Sequence, residues 1–146
     1  MCIMAEFNFL DDEAIADIAF IAKGTTLIEL FYSAAMATAS LQTDINLLAG
    51  EISTQIHIEK SSIEFLLKAF LDEILYFKDA ELLFAKDFTI NVYELENKFY
   101  FEGTLFGSIF DFNIHPMHND LKAITWHDFR VSKTKDGWEC YVLIDI

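Results

Sequence analysis

The sequence has 146 residues and a mass of 16.8 kDa, and its 10 basic and 24 acidic side chains give a net charge of −14 at pH 7. A hydrophobic content of 53% with 15 phenylalanines excludes a disordered acidic tail, because such a chain can bury enough apolar surface to offset the entropy of folding. So few basic residues argue against direct binding of nucleic acid or of an anionic membrane, since both depend on Lys and Arg.

The length predicts a single domain over residues 1–146. Cys2 and Cys140 are the only cysteines, which is too few for a disulfide framework. The first residues lack the basic and apolar regions of a signal peptide, and no apolar run reaches the ~18 residues of a membrane span. We therefore expect a cytoplasmic protein.

The first half of the chain predicts two strands, a helix, a strand and a second helix. Thr26 and Glu29 form a capping box, and apolar residues follow at helical spacing. A similar box begins at Ser61 and ends at Glu64, again ahead of an apolar stripe. The strands are predicted over residues 6–10, 17–22 and 51–59.

The second half predicts four strands. Residues 88–95 and 98–105 flank Glu96-Asn97 as a hairpin, and residues 123–131 and 138–144 flank a turn that contains Asp-Gly. Residues 111–120, with the single proline, predict a loop between these hairpins. The order β-β-α-β-α-β-β-β-β predicts an α+β domain, a largely antiparallel β-sheet with two amphipathic helices packed on it.

Two acidic features could bind a hard divalent cation such as Ca²⁺ or Mg²⁺. The first is residues 11–17, which carry four carboxylates, although most acidic runs of this kind are solvated loops. The second is the end of the chain, where the side chain of Asp145 and the terminal carboxylate of Ile146 follow an apolar strand. His115 and His118 are spaced like metal ligands, but on a loop that spacing is a weak signal.

The chain resembles the archease family over nearly its whole length. The matching segments are Leu-Asp at 10–11, Ala-Asp-Ile at 16–18, the helix Thr-Leu-Ile-Glu-Leu-Phe at 26–31, Lys-Ala-Ile-Thr-Trp-His at 122–127, Gly-Trp at 137–138 and Leu-Ile-Asp-Ile at 143–146. Each match is weak alone, but their order and spacing make the joint match specific.

This resemblance implies an accessory protein rather than an enzyme. Archeases assist RtcB-type RNA ligases in tRNA splicing and RNA repair, and they promote guanylylation and multiple turnover of the ligase. The resemblance also implies a metal site made by Asp17, Asp145 and Ile146. It assigns Lys122, and His115 with it, to activation of the ligase.

The N-terminal motif departs from the family. The family's His-Thr pair is absent, and residues 12–15 replace it with two extra residues. Ala19 stands where the family usually has glycine. We therefore expect Asp11, Asp12 or Glu13 to share the cation or to support its ligands.

Two other functions stay open on the sequence alone. One is a small divalent-metal-dependent phosphoester hydrolase that uses Asp17 and Asp145 with a loop histidine as base. The other is a metal-free binding module whose acidic face docks a basic partner.

Overall fold

The computed structural model describes residues 3–10 and 16–146. In chain order its elements are β1 (Glu6–Leu10), β2 (Asp17–Gly24), α1 (Leu27–Gln42), β3 (Ile52–Lys60), α2 (Ile63–Glu81), β4 (Leu83–Leu95), β5 (Lys98–Ile109), β6 (Ala123–Ile124), β7 (Arg130–Thr134) and β8 (Gly137–Asp145), with one 3₁₀ turn at Ile45–Leu47 after α1. The α+β class is confirmed, and every strand pairing in the described residues is antiparallel.

The strands form two sheets rather than the one that the sequence suggested. One sheet has the order β1-β2-β8, with β6 and β7 both pairing along the other edge of β8. The second sheet has the order β3-β5-β4. Both helices contact both sheets, so the helices join the two sheets into one core.

The hairpin of β4 and β5 turns where it was predicted. Glu96 and Asn97 have φ values of 51° and 65°, which is the pair of left-handed residues that a two-residue type I′ turn requires. The strands on either side are longer than predicted, and β4 contains a bulge between Ala85 and Asp87.

The single strand predicted over residues 123–131 is wrong, because the structure divides it into β6 and β7. Asp128 adopts a left-handed φ of 53°, and the N–H of Phe129 donates to the carbonyl of Trp126 at 3.1 Å. This turn interrupts the pairing with β8 and leaves the Trp126 side chain about half exposed. Strands β6 and β7 both pair with the same edge of β8, so the sequence pattern of the two strands together predicted a single strand.

Helix α1 begins at the predicted capping box. The N–H of Glu29 donates to Thr26 Oγ1 at 3.2 Å, and Glu29 Oε2 accepts from the N–H of Thr26 at 3.2 Å. Hydrogen bonds from the side chain and backbone of Thr25 lower the pKa of Glu29 below its usual value. The carboxylate therefore stays ionised at the positive end of the helix dipole.

Helix α2 begins one residue later than predicted. Its N-cap is Ser62 rather than Ser61, and the Ser62 hydroxyl accepts from the N–H of Phe65 at 3.1 Å. The predicted box is wrong, because the third helical residue is then Phe65, which has no carboxylate to return the hydrogen bond. Glu64 instead contributes a charge to the first turn.

The core is centred on aromatic rings from four elements, three of them stacked and that of Phe88 edge-on. The Phe70 ring of α2 lies 4.1 Å from that of Phe101 on β5 and 5.6 Å from that of Phe88 on β4, while Phe31 of α1 lies 6.1 Å from Phe70. Small side chains along α1 let it approach both sheets closely. Within residues 3–10 and 16–146, neither helix combines the length and apolar character needed to cross a membrane.

Gly24, at the end of β2, lets the first turn of α1 lie against the sheet. A Cβ atom at Gly24 would stand 2.3 Å from the backbone nitrogen of Leu30 and 2.6 Å from the carbonyl carbon of Glu29. Gly137 approaches the same place, since its Cβ would stand 2.3 Å from the carbonyl oxygen of Gly24. These neighbours are backbone atoms, so a side chain at either position forces the elements apart.

Replacement of Gly24 by alanine is therefore expected to lower the free energy of unfolding by about 1–3 kcal/mol, the usual cost of overpacking. Denaturant titration measures this, and Ser132→Ala on exposed β7 serves as the control that should stay within about 0.5 kcal/mol. Equal stability of Gly24→Ala and the unmodified chain would contradict the close helix–strand contact.

Candidate metal site and its surroundings

The end of the chain is attached on both sides rather than frayed. Strand β8 lies between β2 and β6, and the N–H of Ile146 donates to the carbonyl of Ala16 at 2.9 Å. On the other side, the carbonyl of Asp145 accepts from the N–H of Lys122 at 2.8 Å. The last two residues therefore have fixed backbone positions at one end of the sheet.

Asp17 and Asp145 face each other directly across β2 and β8. In an antiparallel ladder, hydrogen-bonded and non-hydrogen-bonded residue pairs alternate. Ile146 and Ala16 form a hydrogen-bonded pair, so the next pair, Asp17 and Asp145, is non-hydrogen-bonded. Opposite Cα atoms in such a pair are typically about 4.5 Å apart. Like charges placed opposite each other across strands repel. A hard cation that binds oxygens from both carboxylates removes this repulsion.

The two aspartates lie on the face of the sheet that points away from the main core. Residues alternate along each strand, and Ala19 and Leu143, two positions along from the aspartates, belong to a small apolar cluster separate from that core. The side chain of Asp145 is exposed and that of Asp17 is half-buried. Both carboxylates are therefore placed on an outer surface. We define the acidic tip as Asp17, Asp145 and the adjoining Ile146, whose side chain packs against the main core.

Lys122 lies beside the acidic tip. Its N–H donates to the carbonyl of Asp145, and its side chain is exposed. Thr125 attaches the following residues, because its N–H and its hydroxyl both donate to the carbonyl of Leu143 at 3.0 Å. The structure thus brings together four of the five residues that the resemblance assigned to metal binding or activation.

Lys78 of α2 fixes the segment immediately before Lys122, and sequence analysis missed it. Its ammonium lies 2.7 Å from Asp120 Oδ1, 2.9 Å from the carbonyl of Leu121 and 2.6 Å from Asp79 Oδ1. Burial disfavours the charged form, but the hydrogen bonds and charges of Asp120 and Asp79 outweigh burial and raise the pKa of Lys78. The only sequence signal is a lysine at a helical spacing that continues the buried stripe of α2.

His115 has a structural position in the loop between β5 and β6. Its side chain is 92% buried by area and lies against the ring of Phe110 at 5.6 Å. Its Nδ1 accepts a hydrogen bond of 3.0 Å from the N–H of Asp111. Because Nδ1 already accepts a hydrogen bond and the ring is buried, His115 is poorly placed to act as the loop base of the hydrolase hypothesis, whereas His118 of the same loop is exposed.

Other candidate groups fall outside this arrangement. Asp11, Asp12 and Glu13 lie outside the described residues, and among the residues that are described no three His, Cys, Asp or Glu side chains cluster as metal ligands. Burial raises the pKa of the Cys140 thiol to about 12, so this cysteine stays protonated and unreactive at neutral pH.

Fold and site together define a class: a single-domain α+β protein whose helices contact two antiparallel sheets and whose second and last strands place two facing aspartates on their outer face. The family model described as the Archease protein family matches residues 7–146. The chain belongs to the archease family, which confirms the resemblance found in the motifs.

Curated relatives and a solved structure agree with this assignment. A protein named archease from Archaeoglobus fulgidus is 35% identical over 141 residues, which cover 97% of this chain and 99% of that protein. Another from Pyrococcus furiosus is 32% identical over 135 residues, covering 92% and 95%. The solution structure of protein 1598 from Methanobacterium thermoautotrophicum has a TM-score of 0.83 at 28% identity and covers 96% of this chain and 98% of that one.

A second solved structure shows the fold alone. It is the crystal structure of a Thermotoga maritima protein described as "an archease, possible chaperone", with a TM-score of 0.59 at 13% identity, covering 92% of this chain and 94% of that one.

Proposed function

We propose that this protein is an accessory activator of an RtcB-type RNA ligase in tRNA splicing or RNA repair. In this role it promotes guanylylation and multiple turnover of the ligase, and it does so through the acidic tip carrying a divalent cation. Membership of the archease family supports the class of function. The observation that carries the proposal is the register of β2 and β8, which sets Asp17 opposite Asp145 beside a fixed Ile146.

The donor set fits Ca²⁺ or Mg²⁺. The groups that would hold the cation are the side-chain carboxylates of Asp17 and Asp145 and the terminal carboxylate of Ile146, all of them hard oxygen ligands. Their backbones are fixed by strand pairing, so little order has to be imposed on binding. The cation would supply positive charge at an otherwise acidic surface, where it can interact with phosphate oxygens.

The remaining residues position and complement this tip. The exposed ammonium of Lys122, whose backbone is bonded to Asp145, adds a second positive group that can offset phosphate charge. Lys78 fixes Asp120 and Leu121, so the segment that leads into Lys122 has one defined path. An electropositive ligase that binds GTP and RNA phosphates is the expected partner of an acidic protein, and its association should weaken with salt.

The test is multiple-turnover joining of RNA ends by an RtcB-type ligase from the same source. We expect stimulation by the unmodified chain and a loss of at least about tenfold in that stimulation for Asp17→Ala and for a chain extended beyond Ile146, because each removes one oxygen ligand. Asp136→Asn, in the turn before β8, is the control and should stimulate fully.

Each other outcome favours a different function. Equal stimulation by all variants would keep the activator function and exclude the acidic tip as the metal site. Absence of stimulation, with partner binding retained and no cation binding in calorimetry, would favour the metal-free module. Metal-dependent phosphoester cleavage by the isolated protein, abolished in Asp17→Ala, would favour the hydrolase.

A further inference from the structure

The loop between β5 and β6 exposes apolar side chains instead of polar ones. Phe112 is 72% exposed and Ile114 is 61% exposed, values unusual for residues of this kind in an ordered loop. We call the following set of exposed side chains the apolar loop surface: Leu82, Ile109, Phe112, Ile114 and Met117.

These residues are neighbours in the structure. Ile109 pairs with Leu83, the residue after Leu82, and the N–H of Phe110 donates to the carbonyl of Leu82 at 2.8 Å. The Phe112 ring packs edge-on against Phe110 at 4.7 Å. Leu82, Ile109 and Phe112 therefore lie around the end of β5, and the loop that follows exposes Ile114 and Met117. Exposed apolar surface concentrated in one segment is typical of an interaction site.

The loop is ordered by its own hydrogen bonds. The carbonyl of Asp111 accepts from the N–H groups of Ile114 at 3.0 Å and His115 at 2.8 Å. Asp111 Oδ1 accepts from the N–H of Asn113, and the N–H of Asp111 donates to His115 Nδ1. The polar groups thus bond within the loop while Phe112 and Ile114 point to solvent.

Further hydrogen bonds attach the loop to the end of α1. The hydroxyl of Thr43 donates to the carbonyl of Pro116 at 2.7 Å, and the N–H of His118 donates to the carbonyl of Gln42 at 3.0 Å. Asn119 Nδ2 donates to the carbonyl of Leu41 at 2.9 Å. A surface fixed in this way loses little conformational entropy when a partner covers it.

The negative charge of this chain favours a partner with a basic surface. Residues 109–121 contain no lysine or arginine, and of their two aspartates Asp120 is paired with Lys78 while Asp111 lies in the loop. An apolar surface on a chain with a net charge of −14 complements an apolar pocket with a basic rim. A second copy of this chain, also at −14, and an anionic membrane are both poor complements.

We propose that the apolar loop surface is the docking site for the RNA ligase, an inference that rests on the proposed function. The loop leads directly into Lys122, whose backbone is bonded to Asp145. Docking here would therefore place the acidic tip at the edge of the interface. His115, buried beneath the loop, supports this surface rather than contacting the reacting groups.

The experiment compares a double variant, Phe112→Ser with Ile114→Ser, with a matched control, Leu95→Ser. Leu95 is 56% exposed at the β4–β5 turn and lies outside the loop. Calorimetry with the purified ligase should show at least about tenfold weaker binding for the double variant, as expected when exposed anchors are truncated, and unchanged binding for the control. Thermal unfolding should remain the same, because the replaced side chains are exposed.

The outcomes separate the docking site from the proposed function. Asp17→Ala should bind the ligase as the unmodified chain does while failing to stimulate it. Binding of the unmodified chain without stimulation, together with weaker binding of the double variant, would overturn the function and leave the docking site supported. Full stimulation and full binding by the double variant would overturn the docking site alone. A dimer in sedimentation that the double variant converts to a monomer would assign the surface to a second copy and also overturn the proposal.

Discussion

For the proposed metal site, replacement of Asp145 by asparagine is expected to remove most of the stabilisation expected of the unmodified protein in Ca²⁺ or Mg²⁺. A cation present at a hundred times its dissociation constant stabilises the folded state by about 2.7 kcal/mol. Each tenfold loss of affinity lowers this by about 1.4 kcal/mol. Asparagine keeps the shape of the side chain but removes the charge that attracts the cation, so thermal unfolding in a cation titration should show a much smaller shift.

Without cation, Asp145→Asn and the unmodified protein should have nearly the same stability. Asp145 is exposed, and its backbone hydrogen bonds do not depend on its side chain. The free energy of unfolding without cation should therefore change by less than about 1 kcal/mol. Asp136→Asn is the matched control and should retain the full cation-dependent shift. If Asp145→Asn kept that shift, the cation would bind elsewhere and the acidic tip would be assigned wrongly.

Local signals in the sequence predicted the local elements. Thr26 and Glu29 can satisfy each other without help from distant residues, so the start of α1 was predicted correctly. The same holds for the turn at Glu96 and Asn97, because its geometry depends on two residues and their strands. The cap of α2 was misplaced by one residue because the local pattern favoured Ser61, which has Glu64 three residues later, whereas the helix in the folded chain is capped by Ser62.

The site itself depends on long-range register. Asp17 and Asp145 are 128 residues apart, and no local pattern states that they face each other across two strands. The family resemblance named them, while the structure supplies their pairing and the attachment of Ile146 to Ala16. Lys78 was missed for the same reason, since its partners Asp120 and Leu121 lie in a loop whose path only the folded chain defines.

Replacement of Lys78 by methionine is expected to lower the free energy of unfolding by about 2 kcal/mol, the cost of losing hydrogen bonds from a charged group whose partners remain. The carbonyl of Leu121 would lose its donor, and the exposed Asp120 would lose its cation. Because these residues lead into Lys122, stimulation of the ligase should fall as well. Denaturant titration and the ligation assay measure the two effects.

The pH dependence of the free energy of unfolding distinguishes a structural role of the Lys78 ammonium from that of a group that titrates near neutral pH. The pKa of Lys78 is raised in the folded protein, so its stabilisation is fully present below the unfolded value of about 10.4 and is lost as the pH rises through the folded value. The difference between Lys78→Met and the unmodified chain should thus stay constant from pH 6 to about 9. Lys98→Met, which breaks an exposed pair between β5 and Glu59 of β3, should cost less than about 1 kcal/mol. If both variants lost the same free energy of unfolding, the buried hydrogen bonds of Lys78 would stabilise the protein no more than an exposed ion pair does. Lys78 would then not be what fixes the segment that leads to the acidic tip.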